Sequence, residues 1–89
     1  MKIYQSVDEL IGKTPIMELG NIEKEYGLQG KILAKLEYLN PTGSVKDRAA
    51  KTMLDEAEKK GLITADSVIM GPTSGNTGIG LASVGAARG

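Results

Sequence analysis

The sequence predicts an α/β fold, an incomplete doubly wound parallel sheet, on three observations. Lys31 to Tyr38 alternates with the period of a strand; Ser44 to Lys60 carries apolar residues at helical spacing; and a short apolar run, Ser67–Met70, is followed by a glycine- and alanine-rich helix from about Asn76 to Arg88. Strand, helix, strand, helix in that order implies parallel strands joined by a crossover helix. Two strands give too little cover for an independent doubly wound layer, so residues 1–89 read as a single incomplete domain, a piece of a larger one. A chain of this length buries only about 60–65% of its unfolded surface, and its core is correspondingly modest.

Each element has a local cause. Ser6-Val7-Asp8-Glu9 matches the capping-box pattern ahead of Leu10 and Ile11, which predicts a short helix from Ser6 to near Gly12. Thr14-Pro15 then forces extended backbone, Ile16 to Leu19 reads as a short strand, and Asn21 to Tyr26 as a helical turn closed by Gly27. In the strand Lys31–Tyr38, Ile32, Ala34, Leu36 and Tyr38 share one face, and Asn40-Pro41-Thr42-Gly43 makes the turn after it. In the helix Ser44–Lys60, Val45, Ala49, Met53 and Ala57 recur every four residues, joined by Ala50 and Leu54 in one apolar stripe. Lys59 and Lys60 suit the negative end of its dipole, Gly61 can take the left-handed cap, and Leu62 supplies the apolar contact that follows. Asp55 with Lys59 and Glu56 with Lys60 are spaced as i,i+4 ion pairs.

Composition narrows the function. Eleven basic and eleven acidic residues cancel, with neither sign concentrated in one half, so nothing favours nucleic acid or an anionic membrane. The chain has no cysteine and no histidine, which removes disulfides, most zinc sites and every Ser/His triad. No metal site is expected, and small molecules are the expected partners. The first residues lack an apolar signal-peptide core and no run is long enough to span a bilayer, so a cytoplasmic location is expected.

Two constellations remain. Asn40 to Arg48, NPTGSVKDR, puts Lys46 in the first turn of a helix, where unpaired N–H groups and the dipole both disfavour a cation. Positive surroundings and partial burial there would favour a neutral amine able to condense with an aldehyde. On position alone, a solvated surface lysine is the simpler reading, and Ser44 with Asp47 is no more than a capping pair.

Gly71 to Gly78, GPTSGNTG, places three hydroxyls and an amide in a glycine-rich turn from a strand into a helix, where an anion meets free N–H groups. An ordinary helix cap uses the same residues. The Walker pattern fails by spacing, since Asn76 and Thr77 stand where glycine and lysine are required. The dinucleotide pattern fits Gly78 and Gly80 but meets Ser83.

Taken together, NPTGSVKDR and PTSGNTGIGLA resemble the cofactor-lysine segment and the substrate loop of the cysteine synthases and their relatives, the cystathionine β-synthases. SVDELIGKTPIMEL is similar to that family's opening segment, so the resemblance runs from Ser6 to the last residue. It implies the amino-terminal part of a fold type II enzyme dependent on pyridoxal 5'-phosphate, with Lys46 as cofactor lysine and proton-transfer base. Thr73, Ser74, Asn76 and Thr77 would hold the substrate carboxylate, and Asn76 would also bond the cofactor's ring hydroxyl. The implied reaction converts O-acetylserine and sulfide to cysteine and acetate, in what is generally a homodimer. Gly71 departs from many relatives, which carry glutamate there.

Family members are several times longer, and the resemblance implies that the phosphate-binding loop and the serine facing the pyridine nitrogen lie outside these residues. Weak cofactor binding and negligible turnover are therefore expected of the 89 residues alone. Cystathionine β-synthase-type chemistry, a non-catalytic fragment that joins a full-length synthase subunit, and an unrelated nucleotide-binding half-domain stay open as alternatives.

Overall fold

The computed structural model describes residues 1–73 and 75–89. A 3-10 turn at Val7–Glu9 is followed by strand β1 (Ile16–Glu18), helix α1 (Gly20–Glu25), strand β2 (Leu33–Lys35), a second 3-10 turn at Glu37–Leu39, helix α2 (Lys46–Lys59) and helix α3 (Asn76–Ala87). Ser6 caps the first turn by accepting from the Asp8 N–H at 3.3 Å, and the Glu9 carboxylate reaches back to the Gln5 N–H at 2.9 Å. Ser6 thus caps as expected, but the two bonds go to Asp8 and Gln5 instead of the Glu9 and Ser6 N–H groups of a capping box, and they close a 3-10 turn rather than a longer helix. Gly12, at φ +81°, ends the segment in the left-handed region.

The chain is α/β and incomplete, as its sequence implies, but its strands pair differently. β1 and β2 are antiparallel, with Ile16 opposite Lys35, Met17 opposite Ala34 and Glu18 opposite Leu33. Bonds from Leu19 N to Ile32 O (2.9 Å) and from Leu36 N to Pro15 O (3.0 Å) extend the ladder at both ends. The reversal is local: α1 ends at Gly27, φ +61°, and the Glu23 carboxylate accepts from Ile32 N–H at 2.6 Å. The strand expected over 31–38 is cut short because Glu37–Leu39 coils into its 3-10 turn, drawn over by the side-chain bonds of Glu37 described below. Ser67–Met70 is not a strand. A parallel partner for it would need cover on both faces, and Val68, Ile69 and Met70 lie exposed instead.

The core sits between α2 and α3, where Ile11, Ala50, Leu54 and Val84 are buried and Ile63 and Leu81 pack against them. The buried stripe of α2 is Asp47, Ala50 and Leu54: Ala50 and Leu54 are inside as expected, whereas Val45 and Met53 face solvent and Asp47 takes an inward place. Gly80 lets α3 come close to this face. A Cβ there would lie 3.1 Å from both the Ala50 Cβ and the Lys46 carbonyl oxygen, so α3 approaches α2 more closely than any larger residue would allow. The end of α2 follows expectation: Gly61 is at φ +70° and the Leu62 N–H reaches Ala57 O at 2.9 Å, a Schellman closure.

The ion pairs differ from those suggested by spacing. Asp55 pairs with Lys51 at 2.7 Å and with Arg88 at 2.5 Å, not with Lys59, and Glu56 makes no ion pair among the described residues. Arg88 also reaches Asp8 at 2.8 Å and Glu58 at 3.2 Å, tying the first turn to the ends of α2 and α3. Burial works against its charge, but the bonds to Asp55, Asp8 and Glu58 outweigh it and raise the guanidinium pKa. Bonds from Lys51 and then Arg88 lower that of Asp55.

The surface is unusually open. A compact chain of 89 residues has a radius of gyration of about 12 Å, whereas this one measures 17.1 Å, with extents of 56 × 36 × 20 Å. Its accessible surface is 6630 Å², against about 5000 Å² for a compact protein of this mass. Among the described residues no helix is long and apolar enough to cross a membrane.

Candidate active site

The turn that leads into Lys46 is held by a polar network drawn from three parts of the chain, Gly12–Thr14, Glu37–Asn40 and Arg48. Arg48 grips Glu37 with two parallel bonds, Nε to Oε2 at 2.8 Å and Nη2 to Oε1 at 2.9 Å. The same Nη2 donates to Gly12 O at 2.9 Å, and the Thr14 hydroxyl donates to Glu37 Oε1 at 2.6 Å. Asn40, buried at 3% exposure, accepts from the Gly12 N–H at 2.8 Å and donates to the Glu37 carbonyl and carboxylate at 2.9 and 2.8 Å. A forked arginine–carboxylate pair with this many supporting bonds has one geometry, so the backbone from Glu37 to Asn40 is fixed.

Arg48, followed by the Thr14 hydroxyl, holds the Glu37 carboxyl well below the usual carboxylate range, at about 2; partial burial opposes them. A depressed carboxylate contributes stability that is full above its ordinary value of 4.5 and is lost as pH falls through about 2. Thermal unfolding followed from pH 6 down to pH 2 is therefore expected to show an acid loss in the native chain that is largely absent between those two pKa values in Glu37→Gln. An identical acid profile in the variant would show that this carboxylate does not hold the turn.

Beyond Asn40 the predicted turn forms. Gly43 N–H donates to Asn40 O at 2.8 Å with Gly43 at φ +89°, and the Ser44 hydroxyl accepts from the Lys46 N–H at 3.1 Å as α2 begins. Lys46 is the first residue of α2 and is exposed, so the partial burial expected of it is not found. The reason is rotational: adjacent helical residues lie about 100° apart, and Asp47 takes the inward position. Among the described residues nothing hydrogen-bonds or pairs with the Lys46 amine.

The second constellation surrounds the start of α3. The Thr73 hydroxyl oxygen accepts from Gly75 N–H at 3.3 Å and Gly78 N–H at 3.1 Å, which occupies both lone pairs, and among the described residues no acceptor takes its O–H. A Cβ on Gly78 would overlap the Thr73 methyl group, so glycine is required for this cap. Thr73 and Thr77 both line a cleft of about 460 Å³ between the 67–73 segment and α3, with Ile69, Met70 and Leu81 as its apolar wall. Asn76 begins α3 and is exposed, and Ser74 lies outside the described residues.

The two constellations meet through backbone. Gly80, one turn beyond Asn76, rests against the Lys46 carbonyl, which sets the first turns of α2 and α3 side by side, although Lys46 does not itself line the cleft. Glu37, Asn40, Asp47 and Gly80 were not legible as site residues in the sequence. Glu37 keeps the strand alternation and Gly80 is one of three glycines in its helix, so neither stood out by pattern.

Among the described residues, then, Lys46 carries an amine without a bonded partner on a turn near a cleft lined in part by the hydroxyls of Thr73 and Thr77. Residues 7–89 match the family described as "Pyridoxal-phosphate dependent enzyme", and the chain belongs to that family. The probable cysteine synthase of Bacillus subtilis (strain 168) is 53% identical over 89 residues, which cover 100% of this chain and 28% of that protein. The cystathionine beta-synthase of Apis mellifera is 53% identical over 88 residues, 99% of this chain and 18% of that one. The crystal structure of an O-acetylserine dependent cystathionine beta-synthase from Helicobacter pylori matches with a TM-score of 0.86 at 43% identity, over 99% of this chain and 29% of that one. The chain thus spans less than a third of the length of these relatives, and its incomplete α/β fold is part of the fold type II architecture they share.

Proposed function

We propose that the chain is the cofactor-lysine part of a β-replacement enzyme of the cysteine synthase type, which converts O-acetylserine and sulfide to cysteine and acetate. The observation that carries the reading is the close approach of Gly80 to the Lys46 carbonyl, which sets the lysine turn beside the hydroxyl-lined start of α3. Lys46 would hold pyridoxal phosphate through its amine and Asn76 would bond its ring hydroxyl. When bound, that group supplies an electron sink next to the substrate's α-carbon.

The remaining work falls to this chain's own groups. The Thr73 hydroxyl, its lone pairs already used by backbone N–H groups, donates to the substrate carboxylate, with Ser74, Asn76 and Thr77 completing the grip. The N–H groups at the start of α3 favour the same negative charge. Lys46 Nζ would take the α-proton, which opens the way for acetate to leave from the β-carbon and sulfide to replace it.

A second reading exchanges the nucleophile for a thiol amino acid, favoured by the relatives named cystathionine beta-synthase. Both readings share every residue role above. A hybrid in which this chain replaces the matched 28% of the Bacillus subtilis protein tests them. The hybrid is expected to form cysteine from O-acetylserine and sulfide, while the 89 residues alone turn over negligibly. Cystathionine formed in preference from homocysteine would favour the second reading. A folded, cofactor-loaded hybrid that forms neither product would sink both.

A further inference from the structure

Asp47 is wholly buried, yet among the described residues no lysine or arginine pairs with it. A buried carboxylate without a cation is costly unless fixed donors satisfy it. Both of its oxygens find such donors on one residue, Oδ2 accepting from the Thr42 N–H at 2.8 Å and Oδ1 from the Thr42 hydroxyl. The positive end of α2 adds a favourable field, since Asp47 lies in the first turn. On its other side, Oδ1 lies 3.4 Å from where a Cβ on Gly80 would stand, next to the Lys46 carbonyl. Asp47 therefore touches both the turn that precedes Lys46 and the helix that carries Thr77.

We propose that Asp47 is a positioning residue of this site: by clamping Thr42 on one side and seating Gly80 on the other, it fixes the Lys46 turn against the start of α3. It acts through its neighbours and contacts neither cofactor nor substrate. The inference rests on the reading of Lys46 given above and adds the residue that orients it. A capping role alone would stabilise α2 without changing how Lys46 reacts, whereas a clamp fixes the direction in which the Lys46 side chain leaves the helix.

The test uses the Bacillus subtilis hybrid with pyridoxal phosphate as the probe, reduced with borohydride and mapped by peptide mass spectrometry, with helicity followed by circular dichroism. In the hybrid with Asp47 and Thr42 intact, Lys46 is expected to take several-fold more label than the average of the other lysines. Asp47→Asn and Thr42→Val are each expected to bring its share down to that average while helicity is kept, and Thr42→Ser, which retains the hydroxyl, to restore it. No preference for Lys46 in the unsubstituted hybrid would overturn the parent reading, and this inference with it. A preference that survives in both Asp47→Asn and Thr42→Val would overturn the inference alone. Should Asp47→Asn lose its helicity, the two Thr42 variants decide, and equal labelling in the valine and serine forms counts against the clamp.

Discussion

Replacing Lys46 with alanine is expected to abolish covalent retention of pyridoxal phosphate and to cut turnover of the Bacillus subtilis hybrid by at least about 10²- to 10⁴-fold, the range a positioned proton-transfer group supplies on its own. The loss of cofactor attachment comes on top of that. Lys46→Arg is expected to be as damaging, because a guanidinium keeps the charge but stays protonated and cannot act as an amine nucleophile or base. Lys51, further along the same helix and engaged with Asp55 at 2.7 Å, serves as the control. Lys51→Ala removes an exposed i,i+4 pair worth about 0.3–0.5 kcal/mol and is expected to leave turnover within a few-fold of the parent. Steady-state rates together with the cofactor's absorbance after gel filtration separate these outcomes. A Lys46→Ala hybrid with ordinary turnover would remove the lysine from the chemistry.

The second large effect is expected at Gly80. Valine there places its branched carbon 3.1 Å from the Ala50 Cβ and the Lys46 carbonyl before the two extra methyl groups are counted. Overpacking of this kind costs about 1–3 kcal/mol, a sizeable part of the 5–15 kcal/mol that holds an ordinary domain folded. It also drives α3 away from the Lys46 turn, so activity should fall further than stability alone accounts for. Gly85 is the contrast. A Cβ there meets only Ile69 Cδ1, at an ordinary 3.5 Å, and Gly85→Ala should stabilise by about 0.4–1 kcal/mol through the lower entropy of the unfolded chain. Urea unfolding of the two hybrids is expected to move in opposite directions. Gly80→Val with an unchanged midpoint would mean that the helices do not meet as described.

What could be read from the sequence was whatever local chemistry decides. The end of α2 at Gly61, the turn at Asn40–Gly43, the cap by Ser6 and the extents of both long helices depend on near neighbours, and they formed close to where the spacing placed them. The residues proposed for the site were named for the same reason: Lys46 and the Thr73–Thr77 loop stand in short, specific motifs. What was missed depends on distant partners. The strand over 31–38 stops early because Glu37 is recruited by Arg48 and Thr14, eleven and twenty-three residues away in sequence. Of the apolar stripe read on α2, Ala50 and Leu54 are buried, but a buried aspartate, held by Thr42 and accommodated by the missing side chain of Gly80, stands inside where Val45 was expected. Asp55 likewise chose Arg88, at the far end of the chain, over the nearby Lys59. Ser67–Met70 has strand composition but no strand beside it, and composition cannot supply one.

The open surface bears on how this site is studied. A core of a few buried side chains and a radius of gyration well above the compact value mean that much of the apolar surface of these residues is uncovered. The hybrid is therefore suited both to mapping the reactivity of the lysines and to measuring turnover, since the relative's remaining residues are expected to cover that surface.

Borohydride reduction of the hybrid in the presence of pyridoxal phosphate, followed by peptide mapping, examines the lysine assignment with the least inference. The cofactor is expected on the peptide that carries Lys46, in about one equivalent per chain, and to be absent there when O-acetylserine is supplied in excess before reduction. Label on a different lysine, or none on a folded hybrid, would contradict the assignment and every role built on it.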